Sequence, residues 1–235
     1  MKDIIEYGNK VCEQLTNDKN SRYKSWEYCY KSFQDAYKSK NIKKPDYDYL
    51  SLQLSFYLAS WGMYRGSSFL LWKDYKVHES IVKLLFKYDS LWNIKIDNNH
   101  NQNLNAFYSD LIKLRNEMRD KYSEIRKEVY ELNKELGSQP KTKISDTLIS
   151  KIILGTIGCI PAYDRYFVSG VKMTNTISGS LSSDSIKELV KYYKNNYKEL
   201  ENLRNKFSIN SDVEYSQMKV LDSCFWQYGF ELEDK

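Results

Sequence analysis

Two short segments place charged residues in otherwise apolar surroundings. In Ala59-Ser60-Trp61-Gly62-Met63-Tyr64-Arg65-Gly66-Ser67-Ser68 an arginine stands between two glycines at the end of an aromatic-rich run. In the stretch Gly155 to Phe167, Pro161 fixes the chain's direction, Asp164 stands where it can cap the next helix, and Arg165 follows directly. An arginine in a buried setting needs a carboxylate or phosphate partner, because an unpaired buried charge costs several kcal/mol. Asp164 and Arg65 are therefore the candidate catalytic residues, expected either to line one cleft between two lobes or to pair as an interlobe ion bridge. With Trp61 and Tyr163 stacking on a ligand and Arg165 beside them, such a cleft suits a flat, polar ligand of the nucleobase kind. In that reading Asp164 is the electrostatic or general-base group and Arg65 orients the substrate.

Other chemistries are excluded by what the chain lacks. It has no GxxxxGK[ST] loop for nucleotide phosphates, no GxSxG elbow and no HExxH. Only His78 and His100 exist, which removes a catalytic triad and a multi-histidine metal site, so neither a metal nor a cofactor is expected. Arg65 stands thirteen positions before His78, too far for the closely spaced Arg and His of HEPN-type ribonucleases. Asp46 and Asp48 flank Tyr47 with no Glu-x-Lys strand after them, which disfavours a PD-(D/E)xK nuclease.

Ser150-Lys151 followed by Gly158-Cys159-Ile160-Pro161-Ala162-Tyr163-Asp164-Arg165 resembles a segment of the helix-hairpin-helix DNA glycosylases. In that superfamily a helix ends in glycine, a short apolar stretch follows, and a catalytic aspartate opens the next helix. The resemblance implies a two-lobed helical fold holding a flipped base in its cleft, with Asp164 assisting departure of the base. Leu221-Asp222-Ser223-Cys224-Phe225-Trp226-Gln227-Tyr228-Gly229, together with the Pro-x-x-Asp pattern, is also similar to uncharacterised bacterial helical proteins. The family's LPGxGxxTA hairpin is not present. Gly137-Ser138-Gln139-Pro140-Lys141-Thr142 only echoes it, so no hairpin lysine is assigned.

The elements that must position these residues are helices. Nine glycines and three prolines in 235 residues leave few of the tight turns that a sandwich, barrel or doubly wound sheet requires. Apolar residues recur at steps of three and four over 3–17 and 22–41. Asp46 opens a central, largely buried helix, and another is expected over 77–88. The steps then run from Leu104 to Leu136 as one long helix. Ser145 or Asp146 caps a helix to about Leu154. Ser185 and Glu188 are spaced as a capping box for a helix reaching Leu203, and a last helix covers 213–228. The fold class is therefore all-α and two-lobed, with about eight helices. Gly137 to Lys141 divides an N-terminal lobe, 1–136, from a C-terminal lobe, 137–235.

Charge and cysteine usage bound the partners. Lys plus Arg number 36 against 31 Asp plus Glu. The excess gathers between Lys19 and Lys44, where eight basic residues face only Glu27 and Asp35 and are interleaved with Tyr23, Trp26, Tyr28, Tyr30 and Tyr37. Lys38, Lys40, Lys43 and Lys44 are the expected nucleic-acid surface, for DNA or RNA. Cys12, Cys29, Cys159 and Cys224 are too scattered for a zinc site or CxxC, and are expected as buried free thiols. No segment resembles a leader or a membrane span, which places the chain in the cytoplasm, and its Lys, Asn, Ile and Tyr content fits an AT-rich bacterial or phage-related genome. The functional expectation is nucleic-acid association, glycosylase-like, in genome maintenance or phage defence. The alternative is a non-enzymatic helical module that engages a protein partner or a second copy of itself.

Overall fold

The computed structural model describes residues 4–18, 20–39, 45–92, 94–97, 104–133 and 144–233. Among these residues there is no strand, and ten α-helices account for the architecture. They are α1 (Ile4–Asn17), α2 (Lys24–Ser39), α3 (Tyr47–Ser60), α4 (Glu79–Leu85), α5 (Leu104–Asn133), α6 (Asp146–Thr156), α7 (Arg165–Val171), α8 (Ser183–Asn195), α9 (Tyr197–Ile209) and α10 (Gln217–Glu233). Four of these helices begin at side-chain caps. Asp46, Ser145, Asp164 and Ser182 each accept a hydrogen bond from a backbone N–H in the first turn of α3, α6, α7 and α8.

Ten helices replace the expected eight or so because the short helix capped by Asp164 stands alone as α7 and the helix expected to reach Leu203 is two, α8 and α9. The helix expected to reach Leu203 breaks at Asn196, whose side-chain amide donates back to the Tyr192 carbonyl at 2.8 Å and competes with the helical ladder. Its N-cap is Ser182, which takes the Ser185 N–H, so Ser185 is not the cap. The helix expected over 77–88 begins as a 3₁₀ turn, Tyr75–His78, before α4. The long helix α5 has 30 residues and is about 45 Å long. Leu136 and the expected boundary at Gly137 to Lys141 lie outside the described residues.

Packing draws on both ends of the chain. α1 lies against α10 and α9, α2 packs on α3 and α6, and α7 crosses α10 over its whole length. One apolar cluster joins Trp26 and Phe33 of α2, Leu54 and Leu58 of α3, Ile152 and Ile153 of α6, and Val220, Leu221 and Phe225 of α10. Each such side chain is worth about 1.5–3 kcal/mol on full burial. The α7–α10 crossing is unusually close because both helices present glycine there. A Cβ on Gly170 would stand 2.0 Å from the Phe225 carbonyl oxygen, and one on Gly229 would stand 1.9 Å from that of Tyr166. This contact fixes the start of α7, and hence Asp164, against α10.

α3 is less buried than its composition predicts. Leu50, Leu54, Tyr57 and Leu58 face the core, whereas Tyr49, Leu52 and Phe56 are about half exposed on the opposite face.

Candidate functional site

Three residues of α10, Lys219, Asp222 and Trp226, stand at i, i+3 and i+7 and fall on one stripe. The Lys219 ammonium donates to Asp222 Oδ2 at 2.9 Å, and Asp222 Oδ1 accepts the Ala162 N–H at 2.9 Å. A buried carboxylate on α10 thus holds the connector between α6 and α7. That connector leaves α6 through Gly158, whose φ of +76° is disfavoured for any residue with a Cβ. It is also tied to α6 itself: the Tyr163 N–H donates to Ser150 Oγ at 2.8 Å, and Thr147 Oγ1 donates to the Tyr163 carbonyl at 2.9 Å.

These ties deliver Asp164 to a defined place. Its Oδ1 accepts the Phe167 N–H at 3.1 Å, which caps α7. Its Oδ2 accepts from Lys151 Nζ of α6 at 2.8 Å and from the Trp226 indole N–H at 3.3 Å. Lys151 is 4 % exposed and Lys219 8 %, so two ion pairs sit almost entirely out of water. A buried ammonium is tolerable only when paired, and here each has a carboxylate and an aromatic face. Lys151 Nζ lies 5.0 Å from the Trp61 ring centroid and Lys219 Nζ 5.9 Å from the same ring, with Trp26 5.5 Å from Lys219. The pKa of the Tyr57 hydroxyl is pushed up by burial first and then by the carboxylates of Asp222 and Asp164.

Aromatic rings close the site. Trp61 is oriented by its indole N–H, which donates to Ser25 Oγ at 3.2 Å, and packs edge-on against Trp226 with centroids 5.9 Å apart. Tyr23 lies 5.5 Å from Trp61 and 6.0 Å from Trp226, and the Arg22 guanidinium covers both Tyr23 and Trp61. Between Tyr23, Trp61, Trp226, Lys219 and Asp222 a cavity of about 20 Å³ remains. That is room for one water-sized occupant, so a planar ligand fits only if the cavity widens.

The other residues singled out in the sequence lie differently. Arg65 is exposed, with its guanidinium folded over Gly62, and the ion-pair partner of Asp164 is Lys151. The expectation of a buried Arg65 fails because the chain turns outward through Gly62 and Gly66, both at positive φ. Tyr163 is 3 % exposed and shares a hydrogen bond with Ser185 at 2.8 Å, so it packs in the core and has no free face for stacking. Arg165 is exposed and pairs with Glu233 at 2.7 Å. Lys38 lines a separate groove of about 420 Å³, whose described walls carry Lys31, Lys38, Lys95 and Arg204 against Asp35, Asp97, Glu201, Asp212 and Glu214. Among the described residues, four cations face five carboxylates around this groove. Lys40, Lys43 and Lys44 lie outside the described residues.

Among the described residues no group of three or more His, Cys, Asp or Glu is arranged to hold a metal ion, and no helix is long and apolar enough to cross a membrane. The four cysteines are buried and free. Lys151, Lys219, Asp222 and Tyr23 are the site residues that spacing alone does not mark. The signal that could have found them is charge inside apolar helices: Lys151 within Ile149-Ser150-Lys151-Ile152-Ile153, and Lys219 and Asp222 on either side of Val220-Leu221. No protein-family model, curated protein or solved structure matches this chain.

Proposed function

We propose that this chain is a nucleic-acid-associated protein of glycosylase-like kind, acting in genome maintenance or phage defence. In this reading Lys151, Asp164 and the Trp61–Trp226 walls receive a base turned out of its strand. The observation that carries the reading is the fixed Asp164 carboxylate, which accepts from Lys151 at 2.8 Å and, at 3.3 Å, from the indole N–H of Trp226, itself one wall of the aromatic enclosure. Aromatic walls stack on a base whatever its sequence, and buried polar groups read its edge. A carboxylate held against the sugar stabilises positive charge as the bond to the base breaks, which is the role the resemblance implies for Asp164.

The test is release of a damaged base from a labelled single strand, and of a damaged or mismatched base from a labelled duplex, by wild type and Asp164→Asn. Asparagine is as good a helix cap as aspartate, so the variant keeps the cap of α7 and removes the charge; because it also strands the Lys151 ammonium, activities are compared at equal folded fraction measured by circular dichroism. Loss of at least a hundredfold in base release, with duplex binding retained, is the expected result. Equal activity in the two proteins, or none in either, contradicts the enzymatic part of the reading.

A second reading, a helical interaction module, rests on the half-exposed Tyr49, Leu52 and Phe56 of α3 with Leu71 and Trp72 nearby in sequence. Sedimentation across a concentration series tests it. A dimer weakened by Leu52→Glu and Phe56→Glu favours this reading, and a monomer at all concentrations removes self-association.

A further inference from the structure

The aromatic enclosure does not end at the cavity. Beyond Trp226, Tyr166 lies 5.2 Å away edge-on, and Phe230 stacks parallel on Trp226 at 5.3 Å. Tyr23, Trp61, Tyr166 and Phe230 are partly buried and Trp226 between them is buried, so a row of rings joined below the surface runs from just before α2, past the end of α3, across α10 to α7. Each end of the row carries an exposed guanidinium on a ring face. Arg22 is 5.6 Å from Tyr23 and 5.4 Å from Trp61, and Arg165 is 4.5 Å from Tyr166. Arg165 also donates to the Tyr166 hydroxyl at 2.7 Å and pairs with Glu233, which fixes the guanidinium over its ring.

We infer that this row binds single-stranded nucleic acid, an assignment that rests on the nucleic-acid reading above and narrows it to unpaired strands. A duplex hides its base faces in the stack and offers phosphates and groove edges, so a row of ring faces has little to grip there. An unpaired strand exposes every base face, and stacking on aromatic side chains is sequence-tolerant. The Arg22 guanidinium at one end of the row matches a phosphate that flanks the stacked bases, whereas Arg165 at the other end is already paired with Glu233. Trp61 and Trp226 belong both to the row and to the cavity walls, and the Trp226 N–H reaches Asp164, so a strand lying along the row carries one of its bases over the cavity.

The test is fluorescence anisotropy at low salt with labelled oligothymidylate, oligouridylate and a mixed-sequence duplex, using the full chain. The expected result is at least tenfold tighter binding of one or both single strands than of the duplex; the two single-strand arms decide between DNA and RNA. Tyr166→Leu is expected to weaken single-strand binding on the order of tenfold. Arg22→Ala and Arg165→Ala are surface changes that leave the fold intact. Arg22→Ala is expected to lower the salt slope by about 0.7, the increment for one phosphate that is no longer neutralised, and Arg165→Ala, whose charge Glu233 already balances, by less. Duplex binding equal to or tighter than single-strand binding overturns the inference and leaves the nucleic-acid reading standing. Single-strand binding unaffected by all three substitutions also overturns it, and no binding to any of the probes overturns both.

Discussion

Gly229 of α10 rests directly on Gly170 of α7: a Cβ at position 229 would lie 2.8 Å from the Gly170 backbone nitrogen and 1.9 Å from the Tyr166 carbonyl oxygen. Backbone cannot yield as a flexible side chain can, so the two helices must separate if either glycine gains a methyl group. Gly229→Ala is expected to destabilise the protein by about 3 kcal/mol or more, at the upper end of overpacking costs. Gly66→Ala supplies the contrast, because nothing lies within 4 Å of a Cβ there and only its φ of +59° opposes the change. That substitution is expected to cost about 1–2 kcal/mol. Urea denaturation of both variants checks the order, and a smaller loss for Gly229→Ala contradicts the close crossing.

The Lys151–Asp164 pair is expected to behave as a buried pair. Asp164→Asn keeps the cap of α7 but strands an ammonium that is 4 % exposed, and about 3–5 kcal/mol of stability should be lost. Lys151→Met removes the charge and keeps much of the side chain's volume. The double variant Lys151→Met, Asp164→Asn is expected to recover part of the loss, giving a coupling well above about 1 kcal/mol in a double-mutant cycle. Additive losses would show that the two groups do not depend on each other.

Acid should weaken the fold through His78. Its ring is fully buried between Tyr64 and Tyr122, at 2.7 and 2.6 Å, and burial lowers its pKa to about 3. The Tyr64 hydroxyl donates to Ser55, so Nε2–H of His78 donates to Tyr64 and Nδ1 accepts from Tyr122. The unfolded chain takes up a proton near pH 6.5 while the folded one does not. The histidine's contribution is therefore intact at neutral pH and falls on acidification, by about 1.4 kcal/mol per pH unit below that value. Thermal unfolding between about pH 7 and 5 should show a steeper decline for wild type than for His78→Gln. Parallel curves would contradict it.

Burial pushes the Cys29 and Cys159 thiols up, so neither is a thiolate near neutral pH. Both should resist iodoacetamide in the native protein near about pH 8 and react once urea unfolds it, read by mass spectrometry. Rapid native labelling of either would mean that the core around α2 and the α6–α7 connector opens.

How much of this is legible in the chain depends on the kind of constraint. Caps are local, so Asp46, Ser145 and Asp164 are readable as helix starts. The break at Asn196 is not, because the apolar steps continue through Tyr193, Tyr197 and Leu200, while the Asn196 backbone leaves helical geometry and its N–H and amide both turn back to the last turn of α8. Asp164 is legible as a special position, but its partner is not. Arg65 looks like the complement because it is flanked by apolar sequence, yet two positive-φ glycines turn it to solvent. Lys151 supplies the charge from α6, thirteen positions before Asp164. Tyr163 invites an open face by its place next to Asp164. A residue adjacent to this cap points the other way, and here that way is the core. The convergence of Trp61, Tyr23 and Trp226 is a product of tertiary packing from three helical segments, which no spacing along the chain encodes.

The most direct measurement of where a nucleic acid meets this protein is photo-crosslinking with an oligonucleotide carrying 5-iodouracil at one position, followed by mass spectrometry of the attached peptides. The site around Asp164 predicts crosslinks at Trp61, Tyr23 or Trp226, lost in Trp61→Leu. Crosslinks confined to the groove beside Lys38, or none at low salt, would contradict it.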